Sequence, residues 1–299
     1  MTHARQSYEW KNHRLTFVKH PSLDPKSKEK IVLIGGWCSA AGYWALNIPF
    51  FQKIGEVIEL DLVGHYPAEI IDQNQKISLQ EFLEAQAESI WNSAGISNIT
   101  LVGHSTGGMA VLAIAALFPN RIKQVISIAP YVHGPVRGPL KLGVMGIRTN
   151  LGGIFDFGFK IGKSLPKALH FGFSFGVYNA NAFHDREDIK QFIAEYYKQF
   201  DNLNPRNILL ILEMLDRADI RPLLFGNEVP TLILRGDEDP VVPGQDIQEI
   251  ERTTPNVKAV HFAECGHFVH LEKKEIAEKV MMDFISSKKK TKAKKKGFF

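Results

Sequence analysis

Residues 99–109, Ile99-Thr-Leu-Val-Gly-His-Ser-Thr-Gly-Gly-Met109, decide the fold. Residues 99–102 form an apolar run of strand length, and the apolar run from Met109 to Phe118 suits a helix. Between them, Gly103-His104-Ser105-Thr106-Gly107 matches Gly-x-Ser-x-Gly in the strand–turn–helix setting that a nucleophile elbow requires. Glycine is needed there because the turn is sharp and neighbouring backbone comes too close for side chains. The bend holds the Ser105 hydroxyl above the sheet edge, at the start of the next helix. The partial positive charge of that helix terminus favours a developing oxyanion.

Outward from this stretch, apolar runs of strand length alternate with helical spacing. Residues 14–19 alternate, with Leu15 and Phe17 on one side, and read as an early, half-exposed strand. Residues 31–34, 57–62, 125–128, 231–234 and 257–262 read as buried strands. Ser78 opens a helix with a capping box, since Glu81 lies three residues on, and Leu79, Phe82, Leu83 and Ile90 share one face. Ile276, Val280, Met281 and Phe284 mark a last amphipathic helix. The alternation predicts an α/β fold, a mostly parallel sheet covered on both faces.

Residues 131–229 break the rhythm. They hold ten of the 20 Phe, and residues 131–180 hold ten of the 24 Gly. Phe171-Gly-Phe-Ser-Phe-Gly176 reads as a poor helix interior and a poor strand, whereas Ile189, Phe192, Ile193, Tyr196 and Phe200 return to helical spacing. The segment is expected to be an inserted cap over the sheet edge. An extra packed helical layer with no part in binding is the plainer alternative.

Serine is a weak nucleophile and needs a base that is itself oriented by an acid. After the strand at 231–234, Arg235-Gly-Asp-Glu-Asp-Pro-Val-Val-Pro243 offers three carboxylates in a tight loop. After the last strand, Glu264-Cys-Gly-His-Phe-Val-His270 offers two histidines just before the final helix. Serine, then acid, then histidine is the chain order that this architecture uses.

On these motifs the chain resembles the α/β-hydrolase superfamily, in its serine-nucleophile esterase and lipase-like branch, over nearly all of its length. The resemblance implies an eight-stranded, mostly parallel sheet with helices on both faces. It places the core at residues 1–130 and 230–287, and a cap at 131–229. It implies Asp239, three residues after Gly236, as the acid, with Asp237 and Glu238 left solvated, and His267 as the base, with His270 structural. Asp61-Leu-Val-Gly-His65 resembles the family's turn after the fourth strand, which shapes the sheet edge outside the chemistry. Some relatives carry the acid after the sixth strand, but Ala129-Pro-Tyr-Val-His133 offers none.

The same resemblance implies an oxyanion hole made by the amides of Thr106 and Trp37, with Gly36, Trp37 and Phe268 against the substrate. The family's usual His-Gly is Gly35-Gly36 here, which removes the histidine's bracing bond but leaves backbone donation intact. Cys38 and Cys265 flank these loops and are expected to pack as small hydrophobes rather than to form a redox pair. His104 is expected to pack behind the elbow. The triad implies no metal and no organic cofactor.

Composition sets the outer bounds. The chain has 299 residues, 44% of them hydrophobic and 23% charged, as in an ordinary globular protein. A chain of this size buries roughly 75% of its unfolded surface, so its core needs no staple. Two cysteines exclude a disulfide scaffold or a four-cysteine zinc site and suggest a reducing, cytoplasmic setting. Residues 1–11 lack an apolar h-region, so no secretory signal is expected. The run from Met109 to Phe118 is about half of the ~20 residues that a membrane span needs.

The net charge is +4, but seven lysines lie in the last twelve residues, and without them it becomes −3. An acidic body argues against nucleic acid as a partner. The tail, residues 288–299, is expected to be solvated and disordered. Its second reading is peripheral attachment to an anionic membrane through the lysines with Phe298 and Phe299.

The expected activity is two-step acyl transfer through Ser105, His267 and Asp239 on a small-molecule carboxylic ester with a lipophilic acyl or aromatic group. An acyltransferase, a C–C hydrolase or a cofactor-free haloperoxidase or perhydrolase would use the same triad. A non-catalytic ligand receptor is disfavoured, because such proteins have usually lost a triad member.

Overall fold

The alternation of apolar runs and amphipathic segments produces one nine-stranded sheet in the computed structural model, which describes residues 4–137, 141, 144, 158–162, 165–242 and 244–296. In chain order the strands are β1 (Gln6–Trp10), β2 (His13–His20), β3 (Lys30–Ile34), β4 (Glu56–Leu60), β5 (Glu69–Ile70), β6 (Ile99–His104), β7 (Ile122–Ile128), β8 (Thr231–Gly236) and β9 (Val257–Phe262). Their order across the sheet is β1-β2-β4-β3-β6-β7-β8-β9, with β5 paired to β2. β2 is antiparallel to β1, β4 and β5, and from β4 to β9 every pair is parallel.

The register decides what meets at the sheet's C-terminal edge. Ile34 of β3 stands beside Gly103 of β6, and Gly236 of β8 stands beside Phe262 of β9. The loops that leave β3, β6, β8 and β9 therefore emerge along one edge, where open α/β sheets bind ligands.

Period-2 alternation splits the core into two layers. Val32 and Ile34 of β3 face the layer that holds the helices Leu79–Ala94 and Thr106–Leu117. Ile31 and Leu33 face the layer that holds Ile48–Gln52 and the final helix. The Thr106–Leu117 helix is apolar all round and buried from Thr106 to Ala115, because the sheet and neighbouring helices cover it on every side.

Three sequence expectations are corrected. Residues 14–19 were expected to be half exposed, yet Leu15, Thr16, Phe17 and Val18 are buried, because β2 runs between β1 and β4. The polar sequence of β1, Gln-Ser-Tyr-Glu-Trp, carries no alternation that would reveal this cover. Conversely, β9 is the edge strand, and only Phe262 in it is buried. Finally, the last helix runs Lys274–Lys296, so the backbone of the lysine-rich segment is helical where a disordered tail was expected. Lysine is a good helix former, and here it continues a helix already nucleated on the core. Phe298 and Phe299, invoked for membrane contact, lie outside the described residues.

Between β7 and β8 the chain carries the helices Pro166–Gly176, Ala180–Asp185, Glu187–Phe200, Pro205–Arg217 and Arg221–Leu224. Phe171-Gly-Phe-Ser-Phe-Gly176, read as a poor helix, completes the first of these. Pro166 sits in its first turn, and Leu169 and Phe173 are buried on its inner side, so packing outweighs weak propensity. The Pro205–Arg217 helix is almost wholly buried, and its Ile211 and Leu215 share a core cluster with Val111 and Ile114. That part of residues 131–229 is a layer of the core. Phe155 and Phe157 lie outside the described residues.

Candidate active site

The elbow forces a non-glycine residue into strain. Ser105 has φ +53° and ψ −114°, a region that L-residues rarely adopt. Its amide donates to Ile128 O at 2.9 Å, and its carbonyl accepts from Met109 N at 2.9 Å and Tyr131 N at 3.1 Å. The glycines permit the turn. A Cβ on Gly107 would lie 2.3 Å from Ile34 O, and one on Gly103 would lie 2.2 Å from Gly107 O.

Asp239 follows β8, and its carboxylate is held from both sides. Oδ1 accepts the amides of Val241 at 2.7 Å and Val242 at 3.0 Å, while Oδ2 lies 2.8 Å from His267 Nδ1. The Asp239 side chain is fully buried and that of His267 is 6% exposed, so water competes little for this bond. With Nδ1–H donated to Asp239, the other ring nitrogen of His267 is left as an acceptor. Ser105 and His267 line one cavity, although no hydrogen bond joins them among the described residues.

His104 packs behind both. Its Nε2–H donates to His267 O at 3.0 Å, and its Nδ1 accepts from the Tyr43 hydroxyl at 2.7 Å. Burial holds its pKa well below the usual histidine value, so the ring is neutral. His270 is buried against Trp44 and His104, and burial pulls its pKa down to about 3. Asp237 pairs at the surface with His261, at 3.2 Å. Glu238 is exposed, as expected, and also accepts the Cys265 amide at 3.1 Å. Both cysteines are free.

The loop after β3 lies directly on the elbow. A Cβ on Gly36 would fall 3.0 Å from Ser105 Cβ. Trp37 follows, its indole Nε1–H donating to Ile208 O at 2.9 Å. Thr106 opens its helix, so its amide has no acceptor within that helix.

Two residues that the sequence did not single out for this purpose brace the loop. His65 Nε2 accepts the Cys38 amide at 3.0 Å, its Nδ1–H donates to Val63 O at 3.1 Å, and burial lowers its pKa to about 4. Tyr196, from the Glu187–Phe200 helix, accepts the Ala40 amide at 2.8 Å. His65 thus braces a loop that has no histidine of its own. Its only sequence signal is its place in the Asp61–His65 turn.

Glu272 ties the histidine loop to the segment above it. Its carboxylate accepts the amides of Gly266 at 3.0 Å, Phe268 at 3.1 Å and Tyr178 at 2.8 Å. Burial raises its pKa, and the three amides oppose that shift. Nearby, the His267 amide donates to Gly176 O at 2.6 Å, and a Cβ on Gly266 would lie 2.1 Å from that same oxygen. The Pro166–Gly176 helix therefore ends on the histidine loop.

A cavity of about 480 Å³ opens between these pieces. Trp37, Phe159, Leu169, Phe171, Phe173, Phe175, Phe200 and Phe268 make its walls, and Gly36, Ser105 and His267 also line it. Its described lining holds no Asp, Glu, Lys, Arg, Asn or Gln. Among the described residues, no cluster of three or more metal-ligating side chains is present, and no helix is long and apolar enough to cross a membrane.

The family model described as the alpha/beta hydrolase family matches residues 31–279. A pimeloyl-[acyl-carrier protein] methyl ester esterase of Photobacterium profundum is 22% identical over 255 residues, which cover 85% of this chain and 94% of that protein. The dihydrolipoyllysine-residue acetyltransferase component of the acetoin cleaving system of Pseudomonas putida is 24% identical over 85% of this chain, but only 63% of its own length is matched. Among solved structures, the enol-lactonase from Burkholderia xenovorans LB400 superposes with a TM-score of 0.74 at 18% identity, covering 94% of this chain and all of that one. At that identity the likeness is one of fold.

Proposed function

We propose, for a chain that belongs to the alpha/beta hydrolase family, that this protein hydrolyses neutral, lipophilic carboxylic esters through Ser105, His267 and Asp239. The observation that carries the reading is the buried 2.8 Å Asp239–His267 bond, beside an apolar cavity that Ser105 and His267 both line. Ser105 Oγ attacks the ester carbonyl while His267 Nε2 takes its proton, and Asp239 keeps the ring in the matching tautomer. The oxyanion rests on the amides of Trp37 and Thr106. The imidazolium then protonates the departing alkoxide, leaving an acyl-serine. Water, deprotonated by the same histidine, releases the acid. The carboxyl group of Glu272 faces backbone amides and takes no part in proton transfer.

The absence of cationic and amide side chains from the described lining favours an uncharged substrate over a carboxylate-bearing one. The segment 131–229, by this reading, caps the site and supplies its aromatic walls. An acyltransferase would use the same groups, and acceptor-dependent product would reveal it.

The test is labelling by a fluorophosphonate together with turnover of a chain-length series of p-nitrophenyl esters. Ser105→Ala is expected to abolish labelling and to cut turnover by several orders of magnitude while the protein stays folded. Turnover is expected to rise from acetate to longer acyl chains. Parent-like turnover by Ser105→Ala would refute the nucleophile, and a preference for acetate over every longer chain would refute the lipophilic substrate.

A further inference from the structure

The Pro166–Gly176 helix is apolar on both sides. Leu169 and Phe173 face the core, whereas Lys167, Phe171 and Phe175, four residues apart, share the outer stripe. Phe171 is 71% exposed and Phe175 42%, with their rings 6.5 Å apart. The chain on either side adds exposed Ile161, Leu165 and Tyr178. Such a concentration of large apolar side chains on a surface marks an interaction site.

Charge indicates what covers it. The sequence from 158 to 176, which carries this face, contains three lysines and no acid, in a body that is otherwise net acidic. Lys160 and Lys167 are exposed within the apolar stretch. A second copy placed face to face would bring these lysines together, which opposes a symmetric dimer. Aromatic and aliphatic side chains interleaved with lysine suit the interface of a bilayer that carries acidic head groups.

We propose that this outer face docks the protein on an anionic lipid bilayer, with Phe171, Phe175, Leu165 and Ile161 entering the head-group region and Lys167 meeting the phosphates. Phe171 and Phe175 also line the cavity, so the membrane face and the cavity are continuous. Given the ester-hydrolase reading, on which this step alone rests, a lipophilic substrate passes from the bilayer to Ser105 without crossing water.

The test compares the full chain with its Ile161→Ser/Leu165→Ser/Lys167→Glu variant, whose three positions lie outside the cavity lining. Co-sedimentation is measured with vesicles of phosphatidylcholine alone and of an equal mixture with phosphatidylglycerol. The parent is expected to partition onto the mixed vesicles at least about tenfold more strongly than onto neutral ones, and the variant to lose about tenfold of that partitioning. The variant's thermal melt and its turnover of a soluble short-chain ester are expected to match the parent's.

Partitioning is read on Ser105→Ala as well, so a failure of the catalytic reading leaves this result intact. Undiminished binding by the variant would place attachment elsewhere, the lysine-rich end included, and would overturn the proposal. So would equal binding to neutral vesicles, no binding by the parent, or self-association in sedimentation velocity that the same substitutions disperse.

Discussion

His65 holds the loop that carries the Trp37 amide, and it does so through a single hydrogen bond to the Cys38 amide. Cys38 has φ +63°, so the loop turns there in a conformation that a non-glycine residue resists. Removing the imidazole leaves that amide without its acceptor, at a cost of about 1–3 kcal/mol. His65→Ala is expected to lower kcat about tenfold or more with little change in KM, because in the proposed mechanism the loop's Trp37 amide meets the oxyanion in the transition state. Steady-state kinetics on a soluble ester would check this. The three proposed reacting side chains were legible in the sequence because each follows a strand within a short motif. His65 and Tyr196 were not, because their bonds reach Cys38 and Ala40 across 27 and 156 residues. No local pattern encodes such a distance.

Elements meet at Glu272. Its Oε1 accepts Phe268, its Oε2 accepts Tyr178, and Gly266 donates to both oxygens, so one carboxylate joins the loop after β9 to the end of the Pro166–Gly176 helix. Hydrogen bonds to a charged group contribute about 1.5–3 kcal/mol each. Glu272→Ala is therefore expected to lower kcat and raise KM together, and to lower the melting temperature. Glu272→Gln keeps one acceptor for the histidine loop and turns an amide N–H₂ toward Tyr178. Its effect is expected mainly in KM, and the split between the two variants in the same assay is the check. The sequence showed where helical spacing resumed at Ile189, but it misjudged Phe171–Gly176. Propensity disfavours a helix there, and only burial of Leu169 and Phe173 against the cavity and core compensates.

Over the whole molecule, His65, His104 and His270 are among the buried groups that shape the response to acid, and Asp61, which burial raises to about 7, works against them. Burial holds His65 at about 4, His270 at about 3 and His104 well below the usual 6.5. In the unfolded chain these rings take up protons near 6.5, so below that pH the unfolded state binds more protons than the folded one. The contribution of these rings to stability is then intact above about pH 6.5 and falls as pH drops toward 4, by up to ~1.4 kcal/mol per pH unit for each ring. Neither ring nitrogen of His270 has a hydrogen-bond partner among the described residues. His270→Phe is accordingly expected to flatten the slope by about one proton, measured by urea unfolding at a series of pH values.

The fold class was determined by sequence alone, through the period-2 and helical spacings and the elbow glycines, because side-chain periodicity acts locally and repeats along the chain. The tertiary structure alone decided that β2 is interior and β9 is the edge. It also decided that Pro205–Arg217 belongs to the core, and that aromatic rings over 130 residues from Trp37 wall the same cavity. Those outcomes depend on which surfaces meet after the chain closes, and burial between distant segments leaves no periodic mark in the residues that supply it.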